Sequence, residues 1–293
     1  MICFYHGDLD GKCSAAIVRK YNSKTRCFEV SYEKPIPFDQ IRSDDEVVLV
    51  DFTPSELKDF KKLVDSKHLI WIDHHKVNID KFLPEFDYVS GRRGDTNPSA
   101  AMLTWEYFFS GKDVPMAVQY TSDFDTWTHK FPESRVFEAG MSSVNSLPNS
   151  DVWKKLLDTE RPDAIGQAVA GETETELDVI LKRGKVVQDF KKNVNAEYLE
   201  SYGFEVEFEG HKAIACNVAH CGSDFFESKD GPSYDLMIPF VFNGNEYIIS
   251  LYSEKDDVDC AAIAKKNGGG GHKGASGFQI KELPFKKKGG IEK

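Results

Sequence analysis

Short apolar runs alternate with amphipathic stretches through the first half of the chain. ICFY (2–5), VVLV (47–50) and LIWI (69–72) are rich in β-branched and aromatic residues and carry no polar alternation, which predicts strands covered on both faces. Residues 12–21, 54–64 and 97–109 show helical spacing instead, with Pro54 at the start of the second. Strand followed by helix, repeated, predicts a parallel α/β sheet over residues 1–150. From 151 to 202 the sequence becomes charged and helix-prone, with Pro162, Gly166 and Gly171 as early interruptions, and predicts a helical linker. Strand patterns return from 203, with Asn243-Gly244 marking a hairpin and a helix near VDCAAIAKK running into GGGGHKGASGF. The expected architecture is an N-terminal parallel-sheet α/β domain, a helical linker and a smaller α/β domain over 203–285, followed by a frayed tail.

Composition restricts what such a chain can bind. Its 293 residues suffice for two cores, and 48 acidic against 37 basic residues give a net charge of -11. That balance argues against sequence-independent binding of long duplex DNA, which rests on neutralising many phosphates. A small anionic substrate stays compatible if metal ions supply the local positive charge. Cys3, Cys13, Cys27, Cys216, Cys221 and Cys260 form no C-x-x-C pair, so they read as reduced thiols of a cytoplasmic protein. The opening MICFYHGD is too short an apolar run for a signal peptide, and no segment has the length of a bilayer span, so no membrane partner is expected.

Ligands of open parallel sheets gather beyond the carboxyl ends of the strands. Each predicted strand here ends in metal-ligand chemistry: His6-Gly7-Asp8-Leu9-Asp10 after the first, Asp51 after the second, Asp73-His74-His75 after the third. In an extended segment His6, Asp8 and Asp10 point the same way. With Asp51, His74 and a further acid they form a carboxylate-rich N/O set suited to two Mn²⁺ ions, or Mg²⁺, rather than to thiolate zinc. Asp8 and Asp10 read equally as caps of the following helix, and Asp51 as a cap near Pro54. His68, His129, His211 and His220 read as surface or satisfied histidines. Ser99, Arg92 and Arg93 are candidates for the same cleft, or else a helix start and an exposed basic turn.

HGDLDG (6–11), VDF with Asp51, DHH (73–75), SDFDTW with Asp123, and GGGGHKGASGF (268–278) together resemble the ordered motifs of the DHH phosphoesterase superfamily with its DHH-associated C-terminal domain. The resemblance implies that His6, Asp8 and Asp51 hold one Mn²⁺, and that Asp10, Asp51, His74 and Asp123 hold a second, with Asp51 bridging. It implies that Asp73 orients a neighbouring histidine and that His75 meets the scissile phosphate or the leaving group. The amides of Gly269, Gly270 and Gly271, with His272 and Lys273, are the implied substrate-binding loop; a flexible glycine linker is the alternative.

Two departures concern the substrate. One residue separates His6 from Asp8, as in RecJ-type exonucleases, and Tyr252 stands where related sequences often place an arginine. The implied activity is a two-metal phosphodiesterase releasing mononucleotides from short oligonucleotides or opening small nucleotide diesters. The alternatives are a processive 5′ exonuclease on single-stranded DNA, a pyrophosphatase or exopolyphosphatase, and a non-catalytic nucleotide-binding module.

Overall fold

The computed structural model describes residues 1–65, 68–94, 97–158, 174–219, 221–229 and 233–285. Pro162, Gly166, Gly171, His220 and the tail from 286 onward lie outside these residues. The chain forms two compact units, Met1–Gln188 and Asp189–Lys293.

In the first unit, β1 (Ile2–His6), β2 (Arg26–Val30), β3 (Val47–Val50) and β4 (Leu69–Ile72) form a parallel sheet of order β2-β1-β3-β4. The predicted runs are strands for the expected reason: alternate side chains serve opposite faces, and both faces are covered. Phe4, Leu49 and Trp71 pack with Phe60 of α2 (Leu57–Asp65) and Phe82 of α3 (Lys76–Phe86). Tyr5, Val48 and Ile72 pack on the other side with Ala15 of α1 (Leu9–Tyr21) and Leu103 of α4 (Ala100–Phe108). The strand at 26–30 has no long apolar run to announce it; RCFEV is an edge strand, only partly covered.

Outside α1 and α4 lie α5 (Met116–Asp125), α6 (Ser134–Ser142) and α7 (Asp151–Leu156). The stretch expected as linker contributes to this core, because Trp153, Leu156, Leu157 and Ile180 are buried with Trp105 and Phe137. The long helix α8 (Glu176–Tyr202) contains the boundary between the units.

The second unit holds a mixed sheet of order β5-β6-β7-β8-β10-β9. Its strands are β5 (Phe204–Phe208), β6 (His211–Asn217), β7 (Leu236–Phe242), β8 (Tyr247–Tyr252), β9 (Gly270–His272) and β10 (Ala275–Ile280). Only β6 and β7 run parallel. Asn243 closes the predicted hairpin by accepting from the amides of Asn245 and Glu246. One face of the sheet is covered by α9 (Cys260–Lys266), the other by Leu199, Phe225 and Phe226. No helix among the described residues is long and apolar enough to cross a membrane.

Phe60 is fully buried, stacks on Phe82 with centroids 5.0 Å apart, and meets the edge of Trp71 at 4.8 Å. Phe60→Ala should cost about 3–5 kcal/mol, read as a lower denaturation midpoint at unchanged slope in urea.

Candidate metal centre

The turn after β1 bends back into α1, and Gly11 makes the approach sterically feasible: a Cβ there would lie 2.1 Å from the carbonyl oxygen of His6. Asp8 caps α1 by accepting from Gly11 N at 2.9 Å through Oδ1, while its Oδ2 stands 2.6 Å from His6 Nδ1. The cap and the site are therefore the same carboxylate. Burial alone would raise Asp8, but the bonds from His6 and Gly11 bring it down to about 2. The same bond to Asp8 raises His6.

Asp10 lies inside α1 and does not cap it. Its buried carboxylate takes Ser99 Oγ (2.7 Å), Ala100 N (2.8 Å) and Ala101 N (2.9 Å), closing the N-terminus of α4. Ser99 is thus a support for Asp10 as well as a helix start. Arg92 pairs with Glu106 at 2.8 Å, and Arg93 lies over the Trp71 ring while donating to Val89 O, so both are accounted for by scaffold contacts.

Asp51 follows β3 in a left-handed conformation, φ 55, which is unusual for a residue with a Cβ. It is 1 % exposed, and neither carboxylate oxygen accepts a hydrogen bond among the described residues. His6 Nδ1 lies 3.8 Å from Oδ2, and His74 Nε2 lies 3.5 Å from Oδ1. Burial, compounded by the charges of Asp10, Asp8 and Asp73, pushes its carboxyl well above the usual range.

Beyond β4, Asp73 is fully buried and fully engaged. Its Oδ2 accepts from Thr53 Oγ1 at 2.5 Å, and its Oδ1 from the amides of His74 (2.7 Å) and His75 (3.1 Å) and from His75 Nδ1 (2.8 Å). Thr53 is in turn held by Trp71 Nε1 at 2.8 Å. Burial opposes ionisation of Asp73, but the bonds from His75 and Thr53 bring it below its ordinary value. His75 is raised, first by that bond.

Asp123 and Asp125, two apart on the last turn of α5, face different ways, as residues about 200° apart on a helix must. Asp123 Oδ1 takes Thr128 Oγ1 and Lys130 N at 2.6 Å each, and Oδ2 takes Phe131 N at 3.3 Å. It is absent from the ligand-type groups. Asp125 stands there instead, with Oδ2 3.3 Å from His74 Nε2, and groups with Asp10 and His74. The resemblance points to Asp123 of SDFDTW, whereas the phase of α5 turns Asp125 of the same motif towards His74. Burial, then the charge of Asp10, pushes Asp125 up to about 7.

Three sets of side chains converge closely enough to share a cation: His6, Asp8 and Asp51; Asp51, His74 and His75; Asp10, His74 and Asp125. Asp51 joins the first two and His74 the last two. The set fits a hard divalent ion: oxygens and imidazole nitrogens dominate, and Asp51 presents two buried oxygens that no hydrogen-bond donor satisfies among the described residues.

In the second unit the glycine run is partly strand. Gly270, Gly271 and His272 pair with Gly277, Ser276 and Ala275. The Gly269 amide donates to Ala264 O at 2.9 Å and is not open to a ligand. A Cβ on Gly269 would meet Gly277 O at 2.0 Å, and one on Gly271, at φ 141, would meet Ser276 Cα at 2.6 Å. Close packing against β10 therefore requires glycine at both positions. His272 and Lys273 are exposed.

No family model matches the sequence. The uncharacterized protein R106 of Acanthamoeba polyphaga mimivirus is 24% identical over 319 aligned positions, covering 98% of this chain and 70% of that protein. The pGpG-specific phosphodiesterase PggH of Vibrio cholerae superposes with a TM-score of 0.54 at 13% identity, covering 96% of this chain and 93% of PggH. The DHH domain of a member of the s1p family of ribosomal proteins gives 0.56 at 15% identity, covering 94% and 81%. The chain shares the fold of these two proteins, one of them a DHH domain.

The raised carboxyls define a pH signature. Asp125 titrates at about 7 in the folded protein against 3.8 in the reference state, and Asp51 is raised as well. Over that window the folded chain holds protons that the unfolded chain has released, so stability falls as pH rises. In chelator, stability measured by urea denaturation should decline from about pH 5 to about pH 6, above the window in which the lowered carboxyls of Asp8 and Asp73 add stability and below the histidine titrations. Asp125→Asn should flatten the decline, and saturating Mn²⁺ should offset it.

Proposed function

We propose that this protein is a two-metal phosphodiesterase acting on short oligonucleotides or small nucleotide diesters. The observation that carries the reading is Asp51. An ionised carboxylate buried without a donor, among other carboxylates, is strongly unfavourable unless cations share it. His6, Asp8 and Asp51 would hold one Mn²⁺ or Mg²⁺, and Asp10, Asp51, His74 and Asp125 the other. Bound there, divalent ions supply Lewis acidity towards the attacking water and the phosphoryl oxygens.

The remaining work falls to the chain. Asp73 fixes the His75 ring through Nδ1 and favours its protonated form, which leaves Nε2 to meet the substrate. A proton held at Nε2 can pass to the departing ribose oxygen as the P–O bond breaks. Asp10 serves twice, as a ligand and as the cap that fixes α4 beside the site. In the second unit, the exposed His272 and Lys273 would offer a ligand their side-chain donors, with the Gly270 and Gly271 backbone beside them.

The likeness to a pGpG-specific phosphodiesterase along nearly the whole of both chains supports a linear dinucleotide as the first substrate to try. The charge of -11 supports short substrates over long strands. With Mn²⁺, the purified protein should release mononucleotides from labelled di- to pentanucleotides faster than from longer strands. Activity that grows with length would favour the exonuclease reading instead.

Asp51→Ala should reduce turnover to background, and Asp73→Asn should lower kcat/KM roughly 10–100-fold. Asp125→Ala should abolish both turnover and the Mn²⁺-induced rise in melting temperature, whereas Asp123→Asn should keep the Mn²⁺-induced rise. The reverse ranking of Asp123 and Asp125 would refute the ligand assignment.

A further inference from the structure

We propose that Trp127 is the nucleobase platform of this site, an inference that rests on the phosphodiester-hydrolysing reading above. α5 ends at Asp125, and Trp127 follows two residues later, so its Cα lies within about 7 Å of that of Asp125. Trp127 is 65% exposed.

The backbone is built to present it. Trp127 and His129 both adopt left-handed conformations at φ 53, which bulky side chains rarely accept. Asp123 holds the loop in that shape, taking Thr128 Oγ1, Lys130 N and Phe131 N on its carboxylate and Thr128 N on its carbonyl. Asp123, set aside as a ligand, is therefore a positioning residue for the loop that begins beside Asp125. The Arg135 guanidinium lies 5.7 Å from the Trp127 ring, and His129 meets it edge-on at 5.7 Å. An exposed indole beside a cation matches the way single-stranded nucleotides are held, with the base on the ring and positive charge near the phosphate.

The test compares wild type, Trp127→Ala, Trp127→Phe and the exposed control Tyr88→Ala. KM and kcat are measured with Mn²⁺ on a dinucleotide and on the same diester bearing one abasic position. Trp127→Ala should raise KM for the intact dinucleotide roughly 5- to 100-fold, the weight of one stacked base, with a smaller change in kcat. Trp127→Phe should recover most of the loss, and the abasic diester should be insensitive to the change. Asp123→Asn should shift KM in the same direction as Trp127→Ala.

An unchanged KM in Trp127→Ala would overturn the proposal and leave the indole to a protein contact. So would equal losses on intact and abasic substrates. If wild type hydrolyses neither, the hydrolytic reading fails by itself. Calorimetric binding of guanosine monophosphate then decides about Trp127: weaker binding in Trp127→Ala supports the platform, and equal binding overturns it.

Discussion

Asp51 sets the terms for the first unit. Its carboxylate is buried at the carboxyl edge of a parallel sheet, without a hydrogen-bond donor and within the fields of Asp8, Asp10 and Asp73. Left bare, such a group takes up a proton; given divalent cations, it becomes the centre that neighbouring side chains share. Neighbouring strands β1 and β4 deliver His6 and His74 to its two oxygens. The left-handed turn at Asp51 is the local cost of pointing that side chain into the edge.

The surrounding acids are anchored in the scaffold as well as in the site. Asp8 caps α1, Asp10 closes the start of α4, and Asp73 is gripped through Thr53 by the core residue Trp71. Helix capping by Asp8 and Asp10 is thus compatible with the metal ligation proposed for them. One carboxylate has enough lone pairs for both, and the cap limits where its remaining lone pairs can point. A structural hydrogen bond here also fixes the direction of the candidate ligands.

The second unit shows the opposite balance. A run of glycines suggests amides free to cradle phosphate, but Gly269 donates to Ala264 and β9 pairs with β10. Where a side chain would strike the neighbouring strand, glycine is explained by packing first. The exposed polar groups of His272 and Lys273 are what this segment has to offer a ligand.

Sequence by itself determined the parallel sheet, because ICFY, VVLV and LIWI are too uniformly apolar to lie anywhere but between two layers, and it determined that ligand-type residues follow each run. It also carried the hairpin at Asn243 and the α/β character of the second unit. The edge strand at 26–30 left little trace, since a partly covered strand needs no unbroken apolar run. Only the tertiary structure shows that Asp125 faces His74 while Asp123 turns to the following loop, because that depends on the rotation of α5 against α1 and β4. It alone joined Asp10 to the start of α4, ninety residues away. Local patterns record which surfaces must be buried, whereas the direction of one carboxylate is set by neighbours that the chain brings in from a distance.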